Sequence, residues 1–406
     1  MISCGLIVEY NPFHNGHQYH LDESKRVTNA DCIIAVMSGD FLQRGEPAII
    51  NKWERASIAL QSGVDLVIEL PYVYAVQNSD RFAEGAVQLL EALDTNYLCF
   101  GSEKGTIDPF INTYTLQKEK KSEFEELHLQ FIQQGLSFPQ AAKQAYSQIG
   151  ISEQTIDLTQ PNNILGYSYV KQILDNSYNM KPLTIQRTKS HYHDPFIADK
   201  IASATSIRKE IFTHQEITNL AKVAIPKTTY QTLTSYYEEY GRWHEWEAYF
   251  PLLHYKILTS STDELSKFLG VDEGIEFRLK ETALTSKNFE NWVNLLKTKR
   301  YTWTRLQRMF THILTGTKKD EVAYSLPKIP YVRVLGMDDI GQKYLRYVKD
   351  RIEIPVIHPL HHSDHWIAEI EKKATAAYTS VLPISLKQKQ LQREYQPPIR
   401  LGKVMK

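Results

Sequence analysis

The chain has 406 residues, enough for two domains that each bury a core of their own. Apolar residues make up 42% and charged residues 23%, the balance of an ordinary soluble globular protein, and no apolar run approaches the roughly 18 residues that span a bilayer. Basic and acidic residues number 47 each, which argues against a protein that coats nucleic acid by net charge.

The first element is an apolar strand, Ile2 to Tyr10, running directly into Asn11-Pro12-Phe13-His14-Asn15-Gly16-His17 and a helical stretch over Gln18 to Val27. Met1-Ile2-Ser3 supplies no basic flank, so this start does not read as a signal peptide. Pro12 has no N–H to give a sheet ladder and ends the strand, while Gly16 lets backbone come close to a ligand. His14 and His17, three residues apart, fall on one face of an opening helical turn. The free N–H groups and dipole of such a terminus suit phosphate, and two imidazoles beside it can stabilise charge on a phosphoryl group under displacement.

Short apolar strands follow at Cys32–Met37, Val64–Leu70 and Tyr97–Phe100, separated by helical spacing at Lys52–Gln61 and Asp80–Leu93. This alternation predicts an α/β fold with a parallel sheet covered on both faces. Ligands of such sheets bind beyond the carboxyl ends of the strands. The Pro12 turn, the loop after Met37 and Gly101 should therefore meet at one crevice. Cys4, Cys32 and Cys99 lie in these apolar runs without a CxxC partner and read as buried hydrophobes of a reducing, cytoplasmic protein.

Glu119–Ile149 has the texture of an inserted helical pair, and Ile185-Gln186-Arg187 returns to the sheet. Ser203-Ala204-Thr205-Ser206-Ile207-Arg208 places hydroxyls and a guanidinium at a helix start, where they can grip phosphate oxygens. The same pattern also serves as a plain Ser/Thr cap. Beyond about residue 217 the pattern changes to long amphipathic stretches, such as His254–Leu269 and Thr304–Leu314, interrupted by strand-like Ile329–Leu335 and Arg351–Ile357. Asn291–Lys319 contains no acid but includes Lys297, Lys299, Arg300, Arg305, Arg308, Lys318 and Lys319, and the tail from Pro383 is also basic. Local fields of this kind bind polyanions even on a neutral molecule. His358 to His365 has loop-like composition without cysteine, and no metal site is expected there; His191-Tyr192-His193-Asp194, by its residues alone, could also be a ligand set.

His14-Asn15-Gly16-His17 together with Ser203 to Arg208 resembles the paired signatures of the class I (HxGH) nucleotidyltransferase superfamily, with Ala204 replacing the second serine. Further segments extend the likeness: Ser38 to Ala48, Lys52 to Arg55, Phe100 to Glu103, Pro161 to Gly166, Tyr192 to Asp194, Arg300 to Arg308 and Tyr331 to Gly336. As a set they are similar to the bacterial tRNA(Met) cytidine acetate ligase family over essentially the whole chain. The resemblance implies a Rossmann-like nucleotidyltransferase domain with a parallel sheet over 1–217, followed by a mostly helical, tRNA-binding domain over 218–406. It implies ATP, accompanied by Mg2+, and acetate as substrates. Acetyl-adenylate would form first, and N4 of the wobble cytidine of elongator tRNA(Met) would then be acetylated.

On this reading His14, His17 and Arg208 are catalytic. ATP would contact Ile7, Val8, Glu9, Tyr10, Asn11, Pro12, Phe13, His14, Asn15, Gly16, His17, Gln18, Tyr19 and His20, then Gly101, Asn162, Arg187, Ser203 and Thr205. Locally, a turn-forming role and a ligand role are equally open to Asn162 and Asn163; the family pattern favours Asn162. Lys299, Arg300, Arg305 and Arg308, with Tyr301 and Trp303 between them, are the expected tRNA contacts, through phosphates and base stacking. A small-cofactor adenylyltransferase would share both signatures without needing the basic second half. An RNA-binding protein on a degenerate core would not need His14, His17 and Arg208 intact.

Overall fold

The structure, a computed structural model, describes residues 1–136, 138–150, 156–157, 160–187, 202–322, 328–360, 363 and 365–402. The tract His191–Asp194 and residues 361, 362 and 364 lie outside them. Eight strands form one sheet: β1 (Ser3–Val8), β2 (Cys32–Ser38), β3 (Leu66–Leu70), β4 (Tyr97–Ser102), β5 (Lys181–Gln186), β6 (Val332–Asp338), β7 (Val356–Ile357) and β8 (Ile399–Leu401). The order is β5-β4-β1-β2-β3-β6-β7, with β8 also paired to β6. β1 to β5 are parallel, while β6 runs antiparallel to β3.

β2 is buried at every position, and its alternation feeds two cores. Ile34 and Val36 face one layer, whereas Ile33, Ala35 and Met37 face the other. The first layer is covered by helices 79–92 and 161–175 and by the helices of the second half. The second is covered by helices 15–28, 52–61, 204–214 and 227–240. The insertion forms helices 108–119, 121–133 and 138–148, and Phe124, Phe131, Ala145 and Ile149 give it a small core of its own.

Two expectations need correction. The parallel sheet expected over 1–217 is present in β1 to β5, but it does not end at residue 217: β6, antiparallel to β3, with β7 and β8, all from the second half, extends it beyond β3. The stretch 254–269 is not one helix but 246–259 and 262–266. Ser261 and Glu264 form a capping box that starts a new helix there.

The join between halves is ionic as well as apolar. Glu69 on β3 is the cross-strand partner of Arg333 on β6. Lys52 Nζ lies 2.7 Å from Glu69 and 3.0 Å from Glu394, and Arg333 lies 2.5 Å from Glu69 and 2.7 Å from Glu394. All four side chains are fully buried. The Trp53 indole N–H donates to the second Glu394 oxygen at 3.2 Å.

Candidate active site

β1 ends at Val8, and the chain turns through Tyr10, in left-handed backbone at φ 49°, and a cis Asn11–Pro12 bond. His14 then caps helix 15–28. Its Nδ1 accepts from the Gly16 N–H at 3.0 Å, and His17 Nδ1 accepts from the His14 N–H at 3.3 Å. The two rings stack with centroids 3.8 Å apart, backed by Tyr10 and Phe13. Burial, reinforced by Arg187 and Arg208, lowers His14 to about 3. Burial and then the neighbouring His14 depress His17 well below the ordinary imidazole range. Both rings are therefore neutral at physiological pH. Because each Nδ1 is spent as an acceptor, each carries its proton on Nε2.

These rings line a crevice at the carboxyl ends of β1, β4 and β5, which holds about 1530 Å³ of space with open solvent included. The Pro12 turn, the loop after β2 and Gly101 meet there, as the sheet-end argument expects. Ile7, Val8, Glu9, Tyr10, Asn11, Gly16, Tyr19, His20, Gly101, Asn162, Arg187, Ser203, Thr205 and Arg208 all border it. A Cβ at Gly101 would stand 3.4 Å from the Arg187 side chain, narrowing the crevice at that edge.

Arg208 is held on two sides. Its Nη1 donates to the Asn11 carbonyl at 2.8 Å, and its Nη2 pairs with Glu46 at 2.6 Å. Ser203 is the N-cap of helix 204–214, accepting from the Ser206 N–H at 3.1 Å. The capping role weighed for this motif is thus present, and Thr205 stands exposed at the crevice beside it. Asn162 and Asn163 separate cleanly. Asn162 borders the crevice and donates to Glu103 at 2.7 Å, whereas Asn163 is buried and donates to the Asp157 carbonyl at 3.1 Å.

Pro12, Phe13, Asn15 and Gln18 do not border the crevice. Pro12 and Phe13 are buried beneath it; Asn15 donates to the Val223 carbonyl at 2.9 Å, and Gln18 to Asp22 and the Ser62 carbonyl. A run of contiguous numbers cannot all face one side of a helical turn.

The loop after β2 brings Gln43, Arg44 and Glu46 to the crevice. Arg55 fixes that loop from below, with Nη1 donating to the Glu9 and Ser38 carbonyls at 2.7 and 3.1 Å and Nη2 to the Gly39 carbonyl. The segments Ser38–Ala48 and Lys52–Arg55 contain these residues. The strand-end argument brings the loop to the crevice, but no motif in the sequence singles out Gln43, Arg44, Glu46 or Arg55 individually.

Lys299 and Arg300 are exposed. Arg305 stacks on Tyr301 at 4.2 Å, and Arg308 donates to the Gln43 carbonyl at 3.4 Å. Burial and the neighbouring Arg44 pull Arg308 down to about 10. Of the two aromatics, Tyr301 is buried and donates to the Asp272 carbonyl, so its ring is not free to stack on a base, while Trp303 is partly buried against the core. Nor is the block free of acids in space, since Asp272 meets Lys319 and Glu273 meets Arg305. In the second histidine tract, His365 caps helix 366–378. Among the described residues no group of three or more His, Cys, Asp or Glu is placed to hold a metal ion, and no helix is long and apolar enough to cross a membrane.

A parallel sheet whose first strand delivers stacked HxGH imidazoles to a helix terminus, opposite an arginine from a second capped helix, defines a nucleotidyltransferase site. The chain belongs to the HIGH Nucleotidyl Transferase family, which matches residues 1–394. It is 50% identical over 399 residues to the tRNA(Met) cytidine acetate ligase of Oceanobacillus iheyensis, covering 98% of this chain and all of that protein. To the Bacillus subtilis protein of the same name it is 46% identical, covering 95% and 93%. Crystal structures of Thermotoga maritima TmcAL superpose over 99% of this chain and all of theirs at 30% identity. Their TM-scores are 0.91 for the apo form and 0.89 for the form bound to alpha-thio ATP. Full-length likeness of this kind does not favour either a small-cofactor adenylyltransferase or a degenerate RNA-binding core.

Proposed function

We propose that this chain is an ATP-dependent ligase of the cytoplasm that converts acetate into acetyl-adenylate and passes the acetyl group to N4 of the wobble cytidine of elongator tRNA(Met). The observation that carries the reading is the pair of neutral, stacked imidazoles presenting Nε2–H donors beside Arg208 at one crevice. Acetate is a poor acyl donor because oxide is a poor leaving group; adenylylation turns that oxygen into part of a phosphate. The carboxylate attacks the α-phosphorus in line, pyrophosphate departs, and the protein contributes position and charge stabilisation. His14 and His17 donate to the phosphoryl oxygens, and Arg208 exchanges Glu46 for the triphosphate. Gly101 and Asn162 border the same crevice and take the adenosine in this reading. Mg2+ enters with ATP as the counter-ion of its phosphates.

Residues 1–217 carry the nucleotide chemistry and 218–406 the tRNA surface, even though the sheet crosses that boundary. Lys299, Arg300, Arg305 and Arg308 serve tRNA through charge rather than stacking. ATP–pyrophosphate exchange tests the reading. Acetate should support exchange, nicotinate mononucleotide and phosphopantetheine should not, and labelled acetate should enter tRNA(Met) only when ATP is present. Exchange with a cofactor precursor instead of acetate would overturn it.

A further inference from the structure

We infer that Glu9 is the general base of the acyl-transfer step, accepting a proton from the exocyclic amine of the target cytosine as that nitrogen attacks acetyl-adenylate. The inference rests on the function proposed above and names the group that reaction still lacks. Three imidazoles among the described residues border the crevice: His20, whose Nε2 is buried, and His14 and His17, which both hold Nε2–H donors with Nδ1 already engaged. The latter two are donors to phosphate, not proton acceptors. The guanidiniums of Arg44, Arg187 and Arg208 are not bases. Among the described residues two carboxylates border the crevice, Glu9 and Glu46, and Glu46 is held by Arg208 at 2.6 Å.

Glu9 is placed for the task. Its carbonyl is gripped by Arg55 at 2.7 Å, and Oε1 accepts the Gln43 N–H at 2.7 Å. Oε2 makes no hydrogen bond to any described residue, and Glu9 forms no ion pair among them. Burial raises its pKa from the ordinary carboxylate value; the Gln43 N–H, Arg44 and Arg208 oppose the shift and Glu46 adds to it, so its basicity moves toward that of an effective catalyst at neutral pH. A carboxylate is also the natural acceptor for the cytosine amine.

The approach path agrees. Gln43 and Glu46 sit on the loop that docks on helix 303–315. The Gly45 carbonyl accepts from Trp246 at 3.0 Å and Thr311 at 2.8 Å, and a Cβ at Gly45 would lie 2.3 Å from the Arg308 backbone nitrogen. Arg44 lines the crevice with Glu9, and Arg308 lies behind the same loop through its bond to the Gln43 carbonyl, so phosphates flanking a cytidine that enters there meet cations while the base points at the carboxylate. In the step itself the N4 lone pair forms the new C–N bond to the acetyl carbon. The C–O bond to the phosphate breaks with its electrons leaving on AMP, and one N4 proton passes to Glu9 Oε2.

The test separates the two half-reactions in the full chain. Exchange of pyrophosphate into ATP with acetate reports adenylate formation, and single-turnover transfer of labelled acetyl to tRNA(Met) reports the second step. Glu9→Gln should lower the ratio of transfer to adenylate formation by ~100-fold or more and abolish the rise of transfer rate with pH; Glu9→Asp should restore part of both. An equal fall in both half-reactions, with an unchanged pH profile, would overturn the inference and make Glu9 a holder of the Gln43 loop. If Glu9→Gln does not fold, a pH-independent transfer rate in the wild-type chain overturns it equally. A wild-type chain that exchanges with acetate but never acetylates tRNA would overturn the proposed function instead.

Discussion

The crevice and the buried ionic ring are built from the same residue types and answer opposite demands. In the ring, Lys52 and Arg333 face Glu69 and Glu394, so two cations and two anions compensate one another away from water. Burial alone would raise Glu394, but Lys52 and Arg333 more than reverse it and hold the carboxyl down to about 2. In the crevice, Arg44, Arg187 and Arg208 stand with Glu9, Glu46 and two uncharged imidazoles around open space. A ligand's phosphates can enter that arrangement, whereas the ring is closed and fully buried. Charge that closes on itself holds a fold, and charge held around open space can exchange its partners for a ligand.

The ring should break hardest. Glu394→Ala leaves Lys52 and Arg333 short of a counter-charge in a buried site, where removing one partner costs about 3–5 kcal/mol. Denaturant titration should register that loss in the midpoint, and a midpoint unchanged from wild type would show that the ring is not what joins β3 to β6. In the crevice, His17→Ala should leave the unfolding midpoint near wild type while lowering acetate-dependent exchange by ~10²–10³-fold, the range for loss of one transition-state donor. Equal exchange in the variant would remove His17 from the chemistry.

The crevice was legible in the sequence because its chemistry is local. Strand, proline turn, His14 and His17 are contiguous, and Ser203 to Arg208 is a six-residue signature. The ring was not, because Lys52, Glu69, Arg333 and Glu394 sit in four separate segments. Their meeting depends on β6 pairing antiparallel with β3, which periodicity cannot announce. For the same reason the sheet was expected to end before residue 217. Tyr301 illustrates the opposite error. Beside arginines it reads as part of a stacking surface, but its ring is buried and its hydroxyl donates to the Asp272 carbonyl.

Arg208 stands between the two behaviours, since it is paired in the empty site yet placed for phosphate. Arg208→Ala should lose a charge-assisted hydrogen bond of about 1.5–3 kcal/mol, weakening ATP by one to two orders of magnitude in exchange assays. Wild-type ATP affinity would leave helix 204–214 with an ordinary cap. A pH series separates the regions further. Burial, and then Glu69, push Glu371 near the ring up to about 8. The folded protein therefore keeps a proton that the unfolded chain releases above its ordinary carboxylate pKa, and this contribution is lost as pH rises toward 8, at about 1.4 kcal/mol per unit. Glu371→Gln should abolish that alkaline loss. His14, lowered to about 3, acts with the opposite sign, its contribution disappearing as pH falls below the ordinary imidazole value. An alkaline slope that persists in Glu371→Gln would assign it to another group.

The smallest effect is expected on the exposed edge of the basic block, and it tests whether charge there takes a ligand as proposed for the crevice. Arg308 donates to the Gln43 carbonyl and Arg305 covers Tyr301, so replacing either disturbs a surface that leads into the active site. Lys299 and Arg300 are exposed, and only the Arg300 backbone carbonyl, which accepts from Arg305 and survives substitution, takes part in that packing. Lys299→Ala/Arg300→Ala should keep acetate-dependent exchange and the unfolding midpoint at wild-type values while weakening tRNA binding. Each tRNA phosphate that the variant no longer neutralises should reduce the slope of log affinity against log salt by roughly 0.7–0.9, so removing both cations flattens it by about 1.5. Filter binding over a salt series measures both quantities at once. Weaker binding with an unchanged slope would mean that the two residues shape the surface without touching phosphate. Unchanged affinity and slope would make them part of a solvated face, leaving tRNA to Arg308, Arg44 and the rim of the crevice.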